Sequence, residues 1–183
     1  ISCSLVGSEM CIRDSCISYI ICIVYLLLQG VGDGSQPLMS QFYGAGEEKS
    51  LKQTKTLAYE FSMVLAVISA ILIYLLRGKI GLLFGSSAEV NAGVIKVMPI
   101  FLVSVPFDAI TRVSTAAFYA TEKSVLSYVL TFIEPIIMLV LILMLPPVFG
   151  GQIMIWWSTV FAKVITASVS IVLSVRYSTQ RNR

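Results

Sequence analysis

Hydrophobic residues fill five long stretches of this chain, and polar or glycine- and proline-rich breaks separate them. The stretches cover about residues 16–43, 51–76, 89–120, 124–145 and 152–177. A helix rises about 1.5 Å per residue, so about 20 apolar residues cross the hydrocarbon of a bilayer, and each stretch is long enough. Barrel strands need only about 10 residues each, so runs this long and continuous predict helices. The breaks are short. Gly44-Ala45-Gly46-Glu47-Glu48-Lys49 predicts a polar turn, and Arg77 to Ala88, with Gly78, Gly81 and Gly85, a longer loop. Thr121-Glu122-Lys123 is minimal, and Pro146-Pro147-Val148-Phe149-Gly150-Gly151 is a helix-stopping run. No linker separates two soluble domains. The expected fold is one all-α polytopic membrane domain, residues 16–177, with a short tail at 178–183.

The first 15 residues depart from this pattern. Residues 5–15, Leu-Val-Gly-Ser-Glu-Met-Cys-Ile-Arg-Asp-Ser, are polar and aperiodic, and they have no basic region of the kind that opens a signal peptide. The string resembles a translated sequencing adapter. Residues 1–15 are therefore expected to be non-native, and the chain is expected to be the tail of a longer protein.

Composition narrows the function classes. Of 183 residues, 57% are apolar and 13% charged, and the mean hydropathy is +0.88. Soluble domains run near 45–50% apolar and about 25% charged, so a soluble globule or a nucleic-acid binder is not expected. There is no histidine, which removes His-based zinc sites, Ser-His-Asp triads and Cys-His dyads. Cys3, Cys11, Cys16 and Cys22 lack a repeated CxxC spacing and read as packing residues. An enzyme is not expected, nor a cofactor. The net charge of +3 matters less than its placement. Lys49, Lys52, Lys55, Lys123, Arg176, Arg181 and Arg183 fall at one set of span ends, and only Arg77 and Lys79 at the other. Basic residues stay inside, which predicts a cytoplasmic C-terminus and an outward-facing start of the first span.

Ionisable groups within spans are costly and so are functional candidates. In the third span Ser104, Asp108, Thr111, Thr115 and Tyr119 recur at steps of three and four, which puts them on one helix face. Such a stripe should face a bundle interior or a water-filled cavity. Carboxylate and hydroxyl oxygens suit a hard cation such as Na⁺, and a carboxylate can instead carry a proton. Arg112 lies one turn after Asp108, so a static ion pair is the competing reading. In the fourth span Glu134 precedes Pro135, whose missing N–H frees the carbonyl of Thr131. Glu134 is either a proton or substrate group or a structural partner of Arg112 or Lys163. Lys163 itself is either a buried counter-ion or a snorkelling side chain. The first span is interrupted by Gly30, Gly32, Gly34 and Pro37, with Asp33, Gln36 and Gln41 among them. Broken spans mark transporter sites, although glycines also permit close helix packing. Trp156-Trp157 reads as an interfacial anchor.

Gly34-Ser35-Gln36-Pro37-Leu38-Met39-Ser40-Gln41-Phe42-Tyr43-Gly44-Ala45-Gly46 resembles the G-x-Q-P-L-x-S-x-x-x-G-A-G signature of multidrug and toxic-compound extrusion (MATE) transporters. The likeness continues through Phe107-Asp108-Ala109, Phe118 to Lys123 and the Gly150–Trp157 turn. It implies twelve helices in two six-helix lobes. The five spans would be helices eight to twelve of the C-terminal lobe, with helix seven and the N-terminal lobe missing. Asp108 falls where one branch of the family carries a cation-site aspartate. That branch often has a tyrosine one turn earlier, where this chain has Ser104.

The resemblance implies a multi-pass transporter of the plasma (inner) membrane that exchanges Na⁺ or H⁺ for organic, cationic compounds by alternating access. Its partners would be membrane lipids, small organic substrates and the missing N-terminal lobe. The candidate ion site is Asp108, Ser104 and Thr111, and the cavity candidates are Asp108, Arg112, Thr115, Glu134, Gln36 and Pro37. Two other readings stay open. A lipid-linked saccharide flippase of the same superfamily would want a cationic cavity. A non-transporting structural subunit would bury the polar stripe with no cavity beside it.

Overall fold

Five helices form in the order expected from the hydrophobic pattern: α1 (Ser2–Gly44), α2 (Glu48–Leu83), α3 (Ala88–Ala120), α4 (Ser124–Phe149) and α5 (Ile153–Arg181). The computed structural model describes the backbone of residues 2–83, 87–149 and 153–181, and side chains at 12, 14–80, 87–147 and 153–176. Gly85, Gly150 and Gly151, and the side chains of Cys3, Cys11, Arg181 and Arg183, lie outside the described residues. All five helices are long and apolar enough to cross a membrane.

Three of the helices, α1, α2 and α4, run on through residues expected to break or end them. The α1 helix begins at Ser2 and runs unbroken through Gly30, Gly32, Gly34 and Pro37. Apolar surroundings favour keeping helical hydrogen bonds even where propensity is poor, and one proline removes only one of them. The expected loop after Leu76 is mostly helix, because α2 continues to Leu83. Glycines cost about 1 kcal/mol each in a helix relative to alanine, too little to end this one. Arg77 stacks its guanidinium 4.1 Å from the ring centroid of Tyr74, and Asn91 donates from Nδ2 to the carbonyl of Gly78 at 3.2 Å. The α4 helix likewise carries Pro146 and Pro147 within its last turn and ends at Phe149.

Two of the tight turns share one construction. After α1, Glu47 N–H donates to the Phe42 carbonyl at 3.0 Å and Gly46 N–H to the Tyr43 carbonyl at 3.2 Å. After α3, Lys123 N–H donates to Phe118 at 2.9 Å and Glu122 N–H to Tyr119 at 3.3 Å. Both are Schellman caps, which need a left-handed residue just past the helix. Gly46 supplies it at φ 73°, and Glu122 takes it at φ 60° despite its Cβ. At the other end of α3, Ser87 caps the helix by accepting from the Val90 N–H at 3.3 Å.

The third helix is the axle. It packs against all four others, whereas the backbones of α1 and α4 do not approach each other. Half of the α3 span is buried, against 6% of the α4 span. The core joins Ile17, Val24 and Leu28 of α1 to Ala66 of α2 and Met98 and Val105 of α3. Gly32 lets α1 lie close against α3: a Cβ there would lie 3.3 Å from the Arg112 carbonyl oxygen. Gly30 and Gly34 meet nothing within 4 Å, so close packing explains only one of the three. Large apolar side chains such as Leu75, Val125, Phe132 and Leu143 are exposed. In water such a surface would aggregate; in a bilayer it faces acyl chains. The chain is a multi-pass membrane protein.

Candidate functional site

The charged residues of three spans converge on one point. Asp108 of α3 is fully buried. One of its carboxylate oxygens, Oδ1, accepts from the Lys163 ammonium of α5, and Oδ2 from Arg112 Nε at 3.4 Å. Lys163 also pairs with Glu134 Oε1 of α4 at 2.5 Å. Tyr25 of α1 roofs the group, with its ring centroid 4.5 Å from Lys163 Nζ. The Tyr25 hydroxyl then meets Ser104 Oγ at 3.0 Å, and Ser104 donates to the Phe101 carbonyl at 2.7 Å. Four helices thus contribute to one network, and its two carboxylates balance two cations. Burying these charges singly would cost several kcal/mol each, so they sit here only as a set.

A cleft of about 380 Å³ opens beside this network, with α3 as its floor and α1 and α4 as its walls. Thr111, Arg112, Thr115 and Tyr119 come from α3, Gln29, Asp33 and Gln36 from α1, and Ser127, Thr131 and Glu134 from α4. A second hollow, of about 480 Å³, shares Gln29 and Arg112 with the first. Its other walls are mostly apolar and aromatic, including Leu26, Phe101, Ile155 and Trp156. The cleft is therefore polar on one side of Arg112 and apolar on the other. Either volume suits a small organic molecule, since such sites run to about 300–1,000 Å³.

The structure sorts the expected site residues. The polar stripe of α3 does face inward: Ser104, Asp108 and Thr111 are buried, and Thr111, Thr115 and Tyr119 border the cleft. Thr111 donates to the Phe107 carbonyl at 3.1 Å, and Thr115 to that of Thr111 at 2.9 Å. Glu134 joins both the network and the cleft wall, as does Arg112. Lys163 is a buried counter-ion and does not snorkel. Gln36 borders the cleft, but Pro37 is exposed and lies outside it, because the unbroken helix turns it away from α3. Asp108 lies behind the wall, buried beneath Arg112 and Glu134 rather than lining the cleft. Trp156 is not merely an interfacial anchor, since it packs edge-on against Phe101 with centroids 5.0 Å apart. Tyr25 and Gln29 carry no sequence signal, because an isolated polar group in a span reveals its neighbours only after folding. Among the described residues no three of His, Cys, Asp and Glu stand close enough together to hold a metal ion.

A second face of α3, about a quarter-turn round the helix, is also polar but uncharged. Ser114 accepts from the Tyr59 hydroxyl at 2.7 Å, donates to the Ile110 carbonyl at 2.8 Å and lies 3.2 Å from Ser170 Oγ. Nearby, Lys55 donates to Ser174 at 2.7 Å. These bonds tie α2, α3 and α5 together away from the cleft.

With this geometry in view, the comparisons with known proteins are direct. The MatE family model matches residues 15–145. This chain belongs to the MatE family. Two solved structures share its fold. One is an outward-facing multidrug resistance MATE family transporter of the MOP superfamily, with a TM-score of 0.87 at 14% identity, over 97% of this chain and 40% of that one. The other is a MATE crystal structure in complex with MaL6, with a TM-score of 0.86 at 14% identity, over 97% of this chain and 41% of that one. This MatE chain thus spans about two fifths of the length of the transporters it resembles. No curated protein sequence matches it.

Proposed function

We propose that this MatE chain forms one lobe of an exporter that exchanges Na⁺ or H⁺ for organic cations by alternating access across the plasma (inner) membrane. The chain spans two fifths of the transporters that share its fold, so a second lobe would complete the cleft. The observation that carries the reading is the buried Asp108 network opening onto a polar cleft. Antiport needs one site at which the coupling ion and the cargo oppose each other. Carboxylates at the inner edge of a cleft meet that need, because a cation arriving there cancels the charge that holds a cationic cargo. The network of Asp108, Glu134, Lys163 and Arg112 is neutral, and Asp33 on the cleft wall leaves the whole set with one net negative charge. That balance favours a positively charged substrate over the anionic lipid-linked saccharide of a flippase. The apolar hollow beyond Arg112 would take the hydrophobic body of such a compound. The clustering of Lys49, Lys52, Lys55, Lys123 and Arg176 at one end of the bundle supports a cytoplasmic C-terminus.

The test is efflux of a cationic dye by the full-length transporter in vesicles, driven by an imposed Na⁺ or H⁺ gradient. Asp108→Asn keeps the shape and removes the charge. It is expected to abolish gradient-driven efflux and to remove the effect of the coupling ion on dye binding. Efflux equal to that of the wild type would remove Asp108 from the mechanism.

A further inference from the structure

The carboxylate expected to hold a coupling Na⁺, that of Asp108, is already occupied by part of the protein. Asp108 Oδ1 and Glu134 Oε1 come from different helices, and the atom on which they converge is Lys163 Nζ. A Na⁺ ion needs several oxygen ligands turned inward on one point. Here the remaining candidates turn elsewhere. Ser104 Oγ donates to the Phe101 carbonyl and meets the Tyr25 hydroxyl, and Thr111 donates to the carbonyl of Phe107, so neither hydroxyl joins the two carboxylates at Lys163 Nζ. The other oxygen of Asp108, Oδ2, faces Arg112. The Tyr25 ring covers Nζ from the α1 side, and the lysine is only 4% exposed. Nor is this an ammonium that snorkels towards an interface, because its partners lie at mid-span.

We propose that Lys163 is the resident cation of this lobe: its ammonium fills the position between Asp108 and Glu134 that a coupling Na⁺ would take, and so excludes Na⁺ from it. The charge balance supports this. Two carboxylates face Lys163 and Arg112, and the set is neutral as it stands. A Na⁺ ion added to it would bring a third positive charge against two negative ones inside the membrane. Without the ammonium, two carboxylates would face one guanidinium, and a small cation would restore neutrality. Lys163 is on this account a specificity-determining residue, and its loss creates a Na⁺ site. The inference concerns the site invoked in the exchange reading but does not depend on transport, so the two can fail separately.

Thermal unfolding of the purified full-length transporter tests it, comparing Na⁺ with choline at equal ionic strength. The readout is the part of the Na⁺ response that Asp108→Asn removes, which isolates this site from any other. In the wild type that part is expected to be zero. In Lys163→Ala it is expected to appear as a saturable rise in Tm of several degrees, and in Lys163→Arg to be absent again. A merely structural lysine would lower Tm in Lys163→Ala equally in both salts. An Asp108-dependent Na⁺ response in the wild type, or none in Lys163→Ala, would overturn the proposal. Lys163→Gln keeps length and polarity and serves if the alanine variant does not fold. Should neither variant fold, the wild-type measurement alone decides.

Discussion

The two polar faces of α3 use different chemistry in the same membrane. On one face Asp108 and Arg112 meet Lys163, Glu134 and Tyr25 beside an open cleft. On the other, Ser114 joins Tyr59 and Ser170 through neutral hydroxyls. Hydroxyl contacts across membrane helices contribute on the order of 1 kcal/mol, and a hydroxyl that does not donate across can turn its one proton to a carbonyl of its own helix. Ser114 and Ser170 do this with Ile110 and Ala167. Such a seam joins helices and asks for nothing from outside. A charged set is different, since its members need one another. The comparison separates what holds the lobe together from what is able to respond to an ion.

The contrast implies a large effect on the charged face. Asp108→Leu leaves Lys163 with Glu134 alone, and removing one member of a buried pair typically costs about 3–5 kcal/mol. Unfolding in detergent should show a loss of that size. A triple variant, Asp108→Leu with Glu134→Gln and Lys163→Met, should recover most of it while efflux stays absent. Arg112 can remain in that variant because its side chain is 35% exposed to the cleft. If the triple variant were no more stable than the single one, the network would not be acting as a balanced set.

A smaller effect is expected on the neutral face. Ser114→Ala keeps the volume nearly constant but takes from the half-buried Tyr59 hydroxyl one of its two hydroxyl partners, leaving Ser174, at about 1 kcal/mol. Melting should register that loss, while ion-driven efflux per folded molecule should match the wild type. A change in ion dependence would mean that the hydroxyl seam belongs to the transport machinery after all.

Much of the fold is legible in the sequence because a bilayer asks for about 20 apolar residues at a time, and five runs supply them. Span ends were less legible. Gly78 and Gly81, or Pro146 and Pro147, read as breakers, yet hydrocarbon surroundings hold the helix through them. The inward face of α3 follows from the three- and four-residue spacing of Ser104, Asp108, Thr111 and Thr115. The choice of partner does not. Arg112 lies one turn from Asp108 in sequence, but Lys163, 55 residues away, is the other cation on the same carboxylate, and Glu134 joins only through it. That convergence depends on the order and rotation of α3, α4 and α5 around the bundle, which periodicity within one helix cannot reveal. Gln36 and Pro37 show the same limit, being adjacent in sequence yet divided by the helix between cleft and exterior.

The central claim is that the polar face of α3 borders water within the membrane. Thiol accessibility measures this directly in the full-length protein, with its native cysteines, Cys16 and Cys22 among them, replaced by alanine. Thr115→Cys places a thiol on the cleft floor, and Val103→Cys places one on the exposed apolar side of the same helix. Only a hydrated thiol ionises and reacts with a charged, membrane-impermeant reagent. With reagent on the cytoplasmic side, Thr115→Cys should be labelled and then protected by a cationic dye, while Val103→Cys stays unlabelled. Equal labelling of both positions, or none at Thr115→Cys, would contradict the account.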